Sequence, residues 1–161
     1  IYLENLVFII NQLEALVLSG WQTKIEIVKK NTEVDWLPCA ATIYKKSKKI
    51  IYFDEFFSDY SYLEDLDFSF RKKKLGKLII VKDAIYKHTN FIERKSINFG
   101  IKEIINRYYF VKKNNFNLNI FYFGSILKTI LNLLNFKLYK FFGNLIGLFQ
   151  TLLNLLFDKK L

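Results

Sequence analysis

Three carboxylates stand within four consecutive positions, Glu64-Asp65-Leu66-Asp67, and a basic run, Arg71-Lys72-Lys73-Lys74, follows one helical turn later. The positive end of a helix dipole favours negative charge, so an acidic helix start has two readings. It caps the helix and complements its dipole, or it supplies a general base or a metal-associated site. Asp67 and Arg71 are four residues apart, the spacing of an ion pair along one helix face. The rest of the basic run reads as a solvated helix face. The chain contains one histidine, His88, and one cysteine, Cys39. A lone His at a strand end is often a hydrogen-bonded structural residue. Cys39 lies in an apolar run far from His88, which fits a small buried residue better than a catalytic thiol, and alone it forms no internal disulfide.

The elements that must position these groups follow from hydrophobic periodicity. Leu63, Leu66, Phe70 and Leu75 share one helical face, which predicts a helix over Leu63 to Lys74 that Gly76 terminates. Upstream, Leu3, Leu6, Val7, Ile10 and Leu13 predict a helix over residues 3–18, stopping at Ser19-Gly20. The alternating stretch Thr23 to Lys29 and the apolar run Val34 to Tyr44, with Trp36 and Pro38, fit strands or strand edges. Asp54 to Ser61 is loop-like, Leu78 to Val81 reads as a short buried strand, and Ala84 to His88 as its continuation or a second one. Strand, acidic helix, strand is an α/β arrangement. From Ile101 onward the pattern is helical, with long apolar stretches broken by Asn, Lys and Gly, so the expected boundary falls near residue 100.

Four segments in order resemble the second half of inverting family 2 glycosyltransferases. Asp35-Trp36-Leu37-Pro38-Cys39-Ala40-Ala41 is similar to their Asp/Glu-Trp-Leu-x-Gly-Ala strand, with Cys39 where Gly is common. Phe53-Asp54-Glu55-Phe56-Phe57 matches a Phe-Asp-Glu-x-Phe loop, and Glu64 to Arg71 a Glu-Asp-x-Asp-x-x-x-Arg helix. Gly76 and Val81-Lys82-Asp83-Ala84, ending at His88, match a following Gly and a Val-x-x-Ala-x-x-x-His strand. Arg107-Tyr108-Tyr109-Phe110 and Lys112-Lys113-Asn114 also resemble the post-catalytic segment of membrane-associated members. A single Glu-Asp-x-Asp is weak; the ordered set is more specific.

The resemblance implies an α/β fold, a partial GT-A domain over residues 1–100 holding the acceptor-side half, and a helical membrane-associated tail over 101–161. It implies transfer of a sugar from a nucleotide-sugar donor to a glycan or lipid-linked acceptor hydroxyl. Asp65 falls on the general base, with Glu64 flanking it to orient the acceptor or tune the base. Trp36 is a platform for a sugar ring or a core residue. Asp67 is expected on the acceptor side, or as a group that caps or holds the loop. Arg71 and His88 are placed towards the donor diphosphate, and His88 near its metal. The family's nucleotide- and metal-binding Asp-x-Asp belongs to the first half of the fold, and none occurs before residue 65. A divalent cation, Mg2+ or Mn2+, is therefore expected mainly on residues outside this sequence, and the chain is expected to be inactive alone. The start at Ile1 and the lack of Met agree with a fragment.

Composition sets the remaining bounds. At 52% hydrophobic and 18% aromatic, the 161 residues can build a packed core. The net charge of +10 is concentrated: residues 102–161 hold 9 Lys/Arg against 2 Asp/Glu, whereas residues 1–101 hold 16 against 13. A basic and apolar tail points to an anionic membrane surface rather than to nucleic acid, for which no zinc-finger spacing, RNP motif or basic recognition helix is present. Phe141 to Phe157 is uncharged for 17 residues, at the short limit for a span, but Asn144, Gly147, Thr151, Asn154 and Asp158 align in a polar stripe, as do Lys128, Asn132, Asn135 and Tyr139. Interfacial helices at the cytoplasmic face of the membrane are the expectation. No secretory signal pattern stands at the front. The rival reading is a non-catalytic membrane-associated adaptor whose acidic helix start only caps.

Overall fold

The computed structural model of the chain describes residues 28–38, 42–45, 50–57, 62–84 and 96–157. Contacts divide it into two compact units, one over Lys24–Phe91 and the other containing Ile92–Leu161. The expected helix over residues 3–18, most of the strand expected from Thr23 to Lys29, and His88 lie outside the described residues.

In the first unit, strand β1 (Thr32–Val34) pairs antiparallel with β2 (Leu78–Ile80), Val34 facing Leu78 and Thr32 facing Ile80. A Lys77–Glu33 ion pair at 3.0 Å flanks the ladder, and Asn31 Oδ1 accepts from Lys82 N at 3.1 Å to close its other end. Between the strands lie a 3-10 turn, Glu55–Phe57, and helix α1 (Glu64–Lys73). The helix stops on three-residue turns, Leu75 N to Lys72 O at 2.8 Å and Gly76 N to Lys73 O at 3.3 Å. Leu63, Leu66 and Phe68 are buried on it together with Asp67 and Ser69.

The α/β expectation, and with it the partial GT-A domain, is overturned. Among the described residues the sheet has two strands of three residues each, antiparallel, and the class is helical. The run from Val34 to Tyr44 misled because its apolar character is real but its backbone is otherwise engaged. Of its described residues only Val34 is in a strand; Pro38 has no N–H to donate, and both backbone groups of Leu37 bond to the Ser69 side chain of α1. A ladder needs those groups for a neighbouring strand.

The second unit is a run of three helices: α2 (Ile97–Lys113), α3 (Leu118–Leu134) and α4 (Leu138–Leu156). Ser96 Oγ caps α2 by accepting from Phe99 N at 3.1 Å, and Asn117 Oδ1 caps α3 by accepting from Asn119 N at 2.8 Å. The two turns share one geometry. After α2, Phe116 N reaches Val111 O at 2.9 Å and Asn115 N reaches Lys112 O at 3.2 Å; after α3, Lys137 N reaches Asn132 O at 2.8 Å and Phe136 N reaches Leu133 O at 2.9 Å. These are Schellman stops, which place one residue in left-handed backbone, here Asn115 and Phe136, each at φ 55.

Helices α2 and α4 cross with their backbones almost touching. A Cβ at Gly143 would sit 2.3 Å from Ile97 O and 2.8 Å from Gly100 Cα, and one at Gly147 would sit 2.8 Å from Ile104 Cβ. Gly143, Gly147 and Thr151 recur every four residues, the small-residue seam that lets helices approach closely. The interior of α2 is built on Ile104, Tyr108, Phe110 and Val111, all fully buried, and Tyr108 meets Phe121 of α3 with ring centroids 5.8 Å apart.

The interior face of α3 and α4 is polar. The buried residues of α3 are Phe121, Ser125, Thr129 and Asn132; those of α4 are Gly143, Asn144, Gly147, Leu148 and Thr151. Asn144, its amide turned so that nitrogen meets acceptors, donates to Lys140 O and Gly100 O at 3.0 Å each and accepts from Asn132 Nδ2 at 3.1 Å. Glu103 and Arg107 of α2 form a buried ion pair at 3.6 Å, and burial holds the Lys128 ammonium below its ordinary pKa while Glu103 pulls it back up. Of the two expected polar stripes, Asn132, Asn144, Gly147 and Thr151 face inward, while Tyr139 stays exposed.

Candidate functional site around the start of helix α1

Helix α1 begins under strain. Leu63, immediately before it, has left-handed backbone, φ 77 and ψ 5, yet its side chain is 1% exposed and no side chain caps the helix from this position. A Cβ-bearing residue in this region costs about 1–2 kcal/mol. Burial of the Leu63 side chain holds it there. Its carbonyl accepts the first helical bond, from Asp67 N at 3.1 Å. Glu64 and Asp65 follow, both half-buried, and Asp65 Oδ1 accepts from Leu66 N at 2.8 Å.

Asp67 is turned the other way and is fully buried. Arg71 Nε donates to Asp67 Oδ2 at 2.8 Å, Arg71 Nη2 lies 2.7 Å from the same oxygen, and Arg71 Nη1 donates to Tyr52 O at 2.8 Å. The guanidinium thus ties α1 to the segment just before Phe53. Phe53 itself stacks on Phe68 with centroids 4.2 Å apart, and Tyr44 meets the same ring edge-on at 5.0 Å. Asp54 orders the next turn: its Oδ1 accepts from Phe56 N at 3.0 Å and its carbonyl accepts from Phe57 N at 3.1 Å. Phe57 is buried at 2% exposure.

The third tie reaches the Trp36 segment. Ser69 Oγ accepts from Leu37 N at 3.0 Å and donates to Leu37 O at 3.2 Å, which holds half-buried Trp36 next to α1 in the chain path. Lys73 pairs with Asp35 one residue before Trp36. Of the residues singled out from sequence, Trp36, Glu64, Asp65, Asp67 and Arg71 thus belong to segments gathered on one helix. His88 lies outside the described residues.

Several groups that build this arrangement escape a reading by residue type. Ser69 looks like an unremarkable helix-interior serine, and Tyr52 contributes only a carbonyl. A signal existed for Ser69, because a serine at a position facing the apolar side of an amphipathic helix needs a polar partner. Nothing in the identity of Leu63 announces a left-handed backbone.

A separate cleft of about 480 Å3 opens near the other end of α1, lined by Tyr44, Lys45, Lys72, Leu75, Lys77 and Leu78. Lys72 Nζ stands 5.6 Å from the Tyr44 ring centroid and 5.4 Å from that of Phe68. Lys72, the residue of α1 that lines the cleft, is seven residues beyond Asp65, about 10 Å along the helix axis.

Among the described residues, no group of three or more His, Cys, Asp or Glu side chains is placed to hold a metal ion. Asp67 is occupied by Arg71, so the acidic cluster offers Glu64 and Asp65 alone. The described residues do not fit a divalent cation. Set against known proteins, the chain matches no family model, no curated protein and no solved structure.

Proposed function

We propose that the Lys24–Phe91 unit carries the acceptor-activating element of a nucleotide-sugar glycosyltransferase, with Asp65 as general base and Glu64 beside it. The reading is carried by the convergence of two separate segments on α1 through three contacts: Leu37 on Ser69, and the adjacent Tyr52 and Phe53 on Arg71 and Phe68. A cap needs no such framework. A base does, because its carboxylate must be held within hydrogen-bond reach of one hydroxyl.

In this reaction the acceptor oxygen bonds to the donor's anomeric carbon while Asp65 takes the hydroxyl proton. The bond from that carbon to the diphosphate oxygen breaks, and its electron pair leaves with the nucleoside diphosphate. Glu64, one residue away, steers the acceptor by a further hydrogen bond. Trp36 offers an apolar face to a sugar ring. Asp67 and Arg71 act on neither substrate directly; they hold the helix start in place. The substrates are a nucleotide-sugar and a glycan or lipid-linked hydroxyl.

The test is turnover of the complete polypeptide to which these residues belong, over a panel of nucleotide-sugars with glycan and polyprenyl-linked acceptors. Asp65→Asn should lower turnover by about a hundred- to ten-thousand-fold, the usual loss on removing a base. Equal turnover by wild type and Asp65→Asn would refute the assignment. Absence of transfer in the wild-type polypeptide with every donor would refute the reaction.

A further inference from the structure

Helices α3 and α4 have their polarity reversed, and this carries an inference independent of the proposed reaction. Seven residues of α3 are exposed, and only Asn119 among them is polar; on α4 ten are exposed, of which only Tyr139 and Gln150 carry polar groups. Phe123, Phe149 and Leu156 stand at 65%, 62% and 75% exposure. Inside, the same helices bury Ser125, Thr129, Asn132, Asn144 and Thr151. In water, burial of apolar surface drives folding, so an aqueous bundle sorts its residues the opposite way. In hydrocarbon the outer surface gains nothing by burial, polar side chains seek partners between helices, and small residues set the crossings. Asn144 bonded to Asn132, and Gly143 against Gly100, fit the second environment.

We infer that α3 and α4 are embedded side by side in the acyl layer of one membrane leaflet, their axes along its plane. The occupant of their outer faces is lipid, not another protein, because a protein partner explains the apolar outside but not the hydrogen-bonded polar inside. No described helix is long and apolar enough to cross a membrane. The charges favour the in-plane pose: Lys112 and Lys113 end α2 just before α3, and Lys137 and Lys140 stand at the start of α4 just after it, so cations flank both ends of α3 to meet anionic headgroups. Helix α3 is about 25 Å long and α4 about 28 Å. Phe136, at the turn between them, is 87% exposed in left-handed backbone, a poor placement in water and an apolar anchor in lipid.

Flotation of the whole chain on phosphatidylcholine vesicles, with and without phosphatidylglycerol, tests this. The chain should float with the mixed vesicles, remain largely bound when salt is raised to 1 M, and bind less to phosphatidylcholine alone. Phe123→Asp and Phe149→Asp, both at exposed positions, should each reduce the floated fraction about tenfold or more without altering the circular dichroism of the chain. The inference fails if the wild-type chain floats with neither lipid, if the two Asp variants float as well as wild type, or if the chain forms a discrete oligomer that no longer binds vesicles.

Discussion

Ser69 Oγ holds both backbone groups of Leu37, accepting from its N–H at 3.0 Å and donating to its carbonyl at 3.2 Å, across 32 residues of sequence. One hydroxyl therefore does for Leu37 what a neighbouring strand does for a residue in a sheet. Ser69→Ala leaves two half-buried backbone groups without that partner and should destabilise the Lys24–Phe91 unit by about 1–3 kcal/mol. Thermal unfolding followed by circular dichroism measures the loss, and an unchanged transition would show the bonds to be dispensable.

Asp65 and Asp67 are two residues apart and should respond oppositely to the same change. Asp67→Asn removes the charge from a fully buried carboxylate and leaves Arg71 without its counter-ion, so stability should fall by about 3 kcal/mol. Asp65→Asn keeps an oxygen to accept from Leu66 N and should change stability by no more than about 0.5 kcal/mol. Denaturant titrations of the two variants side by side check the contrast; equal losses would contradict it.

The crossing of α2 and α4 leaves no room for a methyl group. Gly143→Ala drives its Cβ into Ile97 O and Gly100 Cα, both backbone, and should destabilise the helical unit by about 1–3 kcal/mol. Gly76→Ala is the control, since a Cβ there meets nothing within 4 Å. Melting temperatures of both variants test the prediction, and a stable Gly143→Ala chain would mean that the helices can separate at no penalty.

Phe136 separates stability from membrane binding. Phe136→Gly relieves the left-handed strain of a Cβ-bearing residue at φ 55 and should raise stability in detergent-free buffer by about 1 kcal/mol. The same change removes an exposed aromatic ring and should weaken vesicle flotation. Melting and flotation measured together decide; a variant that loses stability would show that Phe136 packs within the fold.

The helices were legible from sequence because their signals are local. The face formed by Leu63, Leu66 and Phe70 marks α1 to within a residue at each end, and the aliphatic repeats mark the helical character of the second unit. What a helical stripe cannot reveal is the side on which it packs. Asn132, Asn144 and Thr151 align whether they face headgroups or one another, and the choice lies in the glycine spacing that brings α2 against α4. The α/β expectation failed for a similar reason. The apolar run after Val34 has the composition of a strand, but hydrogen bonds decide strands, and those of Leu37 go to a side chain far along the sequence. In the candidate site the carboxylates and Arg71 could be read by type and spacing, whereas the parts played by Ser69, the Tyr52 carbonyl and the Leu63 backbone are geometric.

The reversed polarity of α3 and α4 also bears on how the chain reaches its fold. In lipid-free water the strongest driving force favours turning each helix about its axis so that Phe123, Ile126, Phe149 and Leu152 point inward. The native arrangement then competes with a mis-turned collapsed state made from the same helices, which the glycine crossing, the asparagine hydrogen bonds and the packing of Tyr108 on Phe121 oppose. Refolding from denaturant should therefore be governed by solvent rather than by time, with compact or aggregated mis-turned species when lipid is absent and recovery when bilayers are supplied from the start. On the inferred embedding of α3 and α4, membrane contact would be part of the instructions for folding the chain.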